Sequence, residues 1–141
     1  MTTDIPAEFK EDISGIDWEA LKSTLQADQF DNGRSAEQLR TSFAASFAVC
    51  FAIVNGRVIG KARLISDGVC NAYLVDVWTL TAYRNQGIAR EVVRRLLLRV
   101  PGQHVYLQAD DDVADLYVKL GFERQPNGMS QVVGKWLNNS V

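Results

Sequence analysis

Histidine is nearly missing from this chain: His104 stands alone, and cysteine occurs only as Cys50 and Cys70. No Cys/His group has the spacing of metal ligands, so no metal centre is expected. Both cysteines lie in apolar, strand-like runs, and no basic-then-apolar leader opens the chain between Met1 and Lys10. They are therefore read as reduced core thiols in a cytoplasmic protein, not as a disulfide or a nucleophile. No apolar run reaches the roughly eighteen residues of a membrane-spanning helix. Positive charge is not in excess, with 15 Lys+Arg against 17 Asp+Glu, a net charge of −2 and a pI near 5.3. That balance argues against a nucleic-acid partner and for a neutral or cationic substrate, though a local basic patch can still hold phosphates. Repeats and low-complexity segments are missing too.

What is present suits one compact domain over residues 1–141, with 47% hydrophobic residues and enough chain to bury a core unaided. Asp17 is placed to cap a helix from Trp18 that aligns Trp18, Leu21 and Leu25. Ser35 and Gln38 form a capping-box signature for a second helix carrying Leu39 and Phe43. Asn55-Gly56 is a hairpin turn between strands at about Ala48–Val54 and Arg57–Ile65. A further turn at Ser66-Asp67-Gly68 leads into a long strand at about Cys70–Leu80. Ile88, Val92, Leu96 and Val100 share one face of the next helix, with Arg94, Arg95 and Arg99 on its solvent side, and Pro101-Gly102 ends it. A strand over His104–Ala109 precedes a helix capped by Asp111 or Asp112, with Val113, Leu116, Tyr117 and Leu120 inward and Gly121 as its C-terminal cap. Phe122–Arg124 and Ser130–Leu137 read as two last strands around a Pro126-Asn127-Gly128 loop. The order ααβββαβαββ, with room for one more strand before Asp17, predicts an α/β fold: a mixed sheet flanked by helices.

The stretch Asp76-Val77-Trp78-Thr79-Leu80-Thr81-Ala82-Tyr83-Arg84-Asn85-Gln86-Gly87-Ile88-Ala89 runs from a strand through a tight loop into a helix. First-turn amides of a helix have no internal partner and sit at its positive end. Gly87 and the small Ala89 let a ligand approach, so this turn suits a pyrophosphate. Taken alone, R-x-x-G-x-A equally describes an ordinary strand-to-helix connection. It is neither a Walker loop nor a dinucleotide G-x-G-x-x-G.

Together with Ala114-Asp115-Leu116-Tyr117-Val118-Lys119-Leu120-Gly121-Phe122 downstream, the stretch resembles the Gcn5-related N-acetyltransferase superfamily (GNAT). Arg84, Gly87 and Ala89 match its Q/R-x-x-G-x-G/A signature, with Tyr83 before the arginine. The second stretch looks like its A-x-x-L-Y-x-K-x-G-F. Thr81 and Thr79 replace a common proline and valine without removing a backbone donor. The likeness spans roughly Ala48 to Phe122 and is weakest over the first helices. Arg63 to Gly68 and Gly128-Met129 also look like the branch near arylalkylamine acetyltransferases and small bacterial relatives.

The resemblance implies six to seven strands, four helices and two splayed parallel central strands. It implies acetyl-coenzyme A as cosubstrate, held in that gap by β-augmentation. Cofactor-binding positions would be Val77, Trp78, Thr79, Arg84, Asn85, Gln86, Gly87, Ile88, Ala89, Arg90, Asp111 and Lys119. Main-chain donors near Val77–Thr79 would polarise the acetyl carbonyl. Tyr117 would protonate the leaving thiolate, although a packing tyrosine explains the same residue. Asp76, or secondarily Asp67, would accept the proton of the amine, although each also reads as a solvated strand-end carboxylate. Phe30, Tyr83 and Met129, with Trp78, would line the acceptor pocket, unless they are core. His104 reads as a surface residue.

The expected activity is direct acetyl transfer to a small-molecule primary amine in a ternary complex, by a protein that pairs as a homodimer. Transfer to a protein or peptide amine, a non-catalytic acyl-coenzyme A sensor and a ligand-free scaffold are the alternatives.

Overall fold

A computed structural model describes residues 7–134. Its elements begin with β1 (Glu8–Lys10), α1 (Trp18–Ala27) and α2 (Ala36–Ala44). The Asp17 carboxylate accepts the Ala20 amide at 3.0 Å, which starts α1. Ser35 and Gln38 complete a reciprocal capping box at the start of α2.

The meander β2 (Ala48–Val54), β3 (Arg57–Ser66) and β4 (Asn71–Thr79) follows. Asn55 and Gly56 turn the β2–β3 hairpin with φ of 50° and 77°, the positive values that a primed turn needs. A short 3-10 turn (Thr81–Tyr83) leads to α3 (Ile88–Leu97), then β5 (His104–Tyr106) and α4 (Ala114–Lys119). The sheet order is β1-β2-β3-β4-β5, antiparallel except for the parallel β4–β5 pair.

Phe51, Lys61 and Trp78 form one row across β2, β3 and β4. The face they share meets Trp18 of α1 and Phe43 of α2, and the Trp18, Phe43 and Phe51 rings lie 5.3–5.9 Å apart. The opposite face carries the row Ala52, Gly60, Thr79. There α3 packs, burying Ile88, Val92, Val93 and Leu96. A Cβ on Gly60 would lie 3.1 Å from Ile88 Cγ2 and 3.4 Å from both Ala52 Cβ and the Trp78 carbonyl. The bare glycine is therefore what lets α3 sit this close to the sheet.

Several expectations from the sequence change here. Five strands, not six or seven, occur among the described residues. Phe122–Arg124 is irregular, because the Phe122 amide is used by the Tyr117 carbonyl at 3.0 Å to close α4. Residues 130–134 are irregular as well, and the remainder of the expected strand Ser130–Leu137 lies outside the described residues. Cys50 is fully buried, as expected, but Cys70 is exposed. The Asp67 carboxylate takes the amides of Val69 and Cys70 at 2.7 and 2.8 Å. This holds the turn away from the sheet and delays β4 to Asn71. Neither Asp111 nor Asp112 caps α4: its N-cap is Val113, without a side-chain bond. Asp111 instead pairs with Arg124 at 3.1 Å, and Val113 is exposed, not inward.

Candidate active site

Parallel pairing of β4 with β5 ends at Tyr73–Tyr106, yet β4 continues to Thr79. Beyond that pair the two strands no longer share hydrogen bonds. A cleft of about 790 Å³ extends along β5, lined among others by Tyr73, His104, Tyr106, Ala109, Tyr117 and Phe122. Tyr73 is the one β4 residue in this lining, so the cleft lies on the β5–α4 side, and the expected splay shows only as the end of pairing at Tyr73–Tyr106.

The end of β4 leads to the start of α3. Gly87 is the N-cap of α3 at φ 82°, and no side chain caps the helix. Asn85 is also left-handed, at φ 64°. Two left-handed residues in the turn, and no capping hydroxyl or carboxylate, leave the amides of Ile88, Ala89 and Arg90 without a side-chain partner. Such a turn fits an anionic ligand. Arg84 does not point its Nε at this turn: that atom donates to the Thr79 carbonyl at 3.2 Å, and the guanidinium lies 4.9 Å over the Phe30 ring. Gln86 and Arg90 are exposed.

At the base of the same corner, Asp28 accepts Trp78 Nε1 at 3.0 Å and the Thr81 amide at 3.2 Å. Burial opposes ionisation of Asp28, but the hydrogen bonds from Thr81 and Trp78 outweigh it and hold the carboxyl below its ordinary range. Phe30, Trp78, Thr79, Tyr83 and Arg84 are thereby gathered at the C-terminal end of β4. The Thr79 hydroxyl is buried without a hydrogen-bond partner.

Tyr117 stands on α4, only 9% exposed, with its ring edge-on to Phe122 at 5.9 Å. Burial pushes its phenol above the ordinary tyrosine range, so the group keeps its proton at neutral pH. It shares the lining of the cleft with Tyr73 of β4 and Ala109 beyond β5.

Asp76 is not placed as a base. Its carboxylate receives a two-pronged bond from Arg34, at 3.1 and 2.7 Å, and a third from Arg63. Burial alone would raise its pKa, but the charge of Lys61 and the bonds from Arg34 and Arg63 drive it far below the usual carboxylate range. A carboxylate so satisfied holds a proton poorly. Asp67, the second candidate, is occupied by the backbone amides of Cys70, Val69 and Asn71, which lower its pKa.

Met129 is 95% exposed at the rim of the cleft. Lys119 is exposed as well, and Asp111 is taken up by Arg124. His104 is exposed and stacks on Tyr106. Arg94 and Arg95 pair with Glu91 on the helix surface, and burial pushes the Cys50 thiol up to about 12. No metal-holding cluster is found among the described residues.

Three functional-looking residues escaped the sequence reading: Asp28, Arg34 and Lys61. Only Lys61 left a local signal, a lone charge inside the apolar run Val58 to Ala62.

The architecture and the sequence both have close counterparts. A protein of Deinococcus radiodurans assigned to the acetyltransferases superposes with a TM-score of 0.78 at 24% identity, covering 99% of this chain and 97% of that one. GCN5-related N-acetyltransferase 2, chloroplastic, of Arabidopsis thaliana is 38% identical over 76 residues, 52% of this chain and 30% of that protein. Histone acetyltransferase TAP1 of Glycine max is 37% identical over 76 residues, 52% of this chain and 31% of that protein. The match thus spans about a third of the length of these plant relatives. The family model for the acetyltransferase (GNAT) family matches residues 11–122, and the chain belongs to that family.

Proposed function

We propose that this protein transfers the acetyl group of acetyl-coenzyme A to the primary amine of a small molecule, by direct attack with both substrates bound. The observation that carries the reading is the uncapped mouth of α3, reached directly from the strand that parts from β5. In this reading the amides of Gln86 to Arg90 take the pyrophosphate, and the pantetheine arm lies along the unpaired stretch of β4. The amides near Val77 to Thr79 bind the acetyl oxygen as charge develops on it.

The amine nitrogen attacks the thioester carbon, and the C–S bond breaks as the amide forms. The phenol of Tyr117 gives its proton to the departing sulfur, and the phenolate is reprotonated, through solvent, by the proton that the attacking nitrogen loses as the amide forms. The ammonium proton of the acceptor leaves to solvent, since Asp76 and Asp67 are already committed to cations and amides. Holding both substrates in register supplies much of the acceleration, so no enzyme-bound acyl group is needed. Arg90 and Lys119 are assigned to the outer phosphates, and Phe30, Tyr83 and Met129 to the acceptor side; Asp111, paired with Arg124, is left out of the phosphate site. The chain is taken to act as one cytoplasmic acetyltransferase domain, paired as a homodimer.

The name of the soybean relative, a histone acetyltransferase, favours a second reading in which the acceptor is a lysine of a protein. Thiol release from acetyl-coenzyme A with a panel of small amines and lysine peptides separates the two. Turnover with small amines supports the first reading, and turnover confined to peptides replaces it. Tight binding of acetyl-coenzyme A without any turnover overturns both.

A further inference from the structure

β4 contains a bulge. Lys61 faces Trp78 and Arg63 faces Val75, so Asp76 and Val77 together oppose the single residue Ala62. Asp76 has φ 62°, a left-handed value that an aspartate tolerates only at some cost. Side chains from two parts of the chain grip this one residue. Arg34, from the loop before α2, and Arg63, from β3, hold its carboxylate. Lys61 donates from Nζ to its main-chain carbonyl at 3.0 Å.

Lys61 is 3% exposed. Its ammonium sits 5.5 Å from the Phe43 ring centroid and 5.9 Å from that of Trp78. Two cations hold the Asp76 carboxylate, and a third, Lys61, holds its main-chain carbonyl. For stability alone, an apolar side chain of similar length would suit the enclosure better than a buried ammonium. What the lysine adds is its hold on the carbonyl. The Asp76–Val77 peptide is planar and trans, so fixing its C=O also fixes the opposed N–H of Val77.

We infer that Lys61 is a positioning residue, which locks the bulge peptide through the Asp76 carbonyl and so aims the Val77 amide at the acetyl oxygen. The inference rests on the reading that the thioester lies beside Val77. Lys61 touches no substrate. It acts on a backbone donor, as a side chain that sets the geometry of an oxyanion site before the reaction begins.

The test compares wild-type protein with Lys61→Met and Lys61→Arg by NMR of the free proteins and by steady-state kinetics with acetyl-coenzyme A and the best acceptor of the panel. The expected Lys61→Met result has three parts: a displaced Val77 amide resonance with at least about tenfold faster exchange, a KM for acetyl-coenzyme A within about twofold, and a kcat about 10- to 100-fold lower, the range of a misaimed oxyanion donor. Lys61→Arg keeps a cationic donor and recovers part of kcat. A Lys61→Met enzyme with kcat within twofold of wild type, or with the Val77 resonance unmoved, overturns the inference. So does a parallel fall of kcat and coenzyme A affinity, the mark of general loosening.

Should Lys61→Met not fold, the wild type still decides. The charged groups around Nζ are Asp76, Arg34 and Arg63, and burial lowers the Lys61 pKa to about 8. The wild-type Val77 amide shift is then expected to inflect near that pH, and a flat profile contradicts the hold on the peptide. Wild-type protein that releases no thiol with any acceptor sinks the acetyl-transfer reading, while the Val77 resonance still reports on Lys61.

Discussion

Tyr117 combines two properties that protonation of a thiolate requires. It lies on a wall of the cleft beside β5, and burial keeps its phenol protonated well past neutrality. Tyr117→Phe keeps the ring against Phe122 and removes the phenolic hydroxyl that carries the proton. The expected outcome is a kcat lower by about 100-fold with the affinity for coenzyme A and the melting temperature retained, read by steady-state kinetics and calorimetry. Unchanged turnover removes the tyrosine from the mechanism.

Lys61 gives a prediction that needs no substrate. Its pKa falls from 10.5 to about 8 on folding, first because burial disfavours the ammonium. Between those values the unfolded chain binds more protons than the folded one, so stability rises with pH across that window. Urea unfolding at pH 8 and pH 10 should show a rise about 2 kcal/mol larger in wild type than in Lys61→Met. An equal slope in the two proteins contradicts the burial of a titrating ammonium.

Tyr117 stood out in the sequence through the resemblance of Ala114 to Phe122 to the family's second motif, since Leu116, Gly121 and Phe122 by themselves describe only a packed helix and its cap. The partners of Asp76 did not stand out. Arg34 is 42 positions away, and nothing local to Asp76 announces that a distant loop will neutralise it. A carboxylate on a central strand therefore looks like a base until the fold supplies its cations.

Among the elements, the junction of β3, β4 and α3 depends most on small residues. Gly60→Ala places a methyl 3.1 Å from Ile88 Cγ2, and the backbone of β3 and the first turn of α3 must separate. The expected loss is about 1–3 kcal/mol in chemical denaturation. Gly87→Ala strains the left-handed N-cap at φ 82° by about 1 kcal/mol and moves the amides at the helix mouth. Titration with coenzyme A should show several-fold weaker binding, with kcat largely kept. Elements built on local chemistry were readable in advance: the Asp17 cap, the Ser35–Gln38 box and the Asn55-Gly56 hairpin all form where the residues indicate. The end of the chain was less readable. Phe122 has a strand-like side chain, but its amide closes α4, and Pro126 has no N–H to give to a ladder.

At the scale of the whole molecule, the two faces of the sheet divide the work. The α1–α2 face carries Phe43, Trp78 and the cations that hold the bulge, and the α3 face brings the helix mouth to the end of β4. The β4–β5 gap lies between these two supports. Coenzyme A titrated into isotope-labelled protein, followed by amide NMR, tests this arrangement most directly. The account predicts saturable binding with the largest amide shifts at Gly87 to Arg90 and along Val77 to Thr79. No binding, or binding that leaves those amides unmoved, contradicts it.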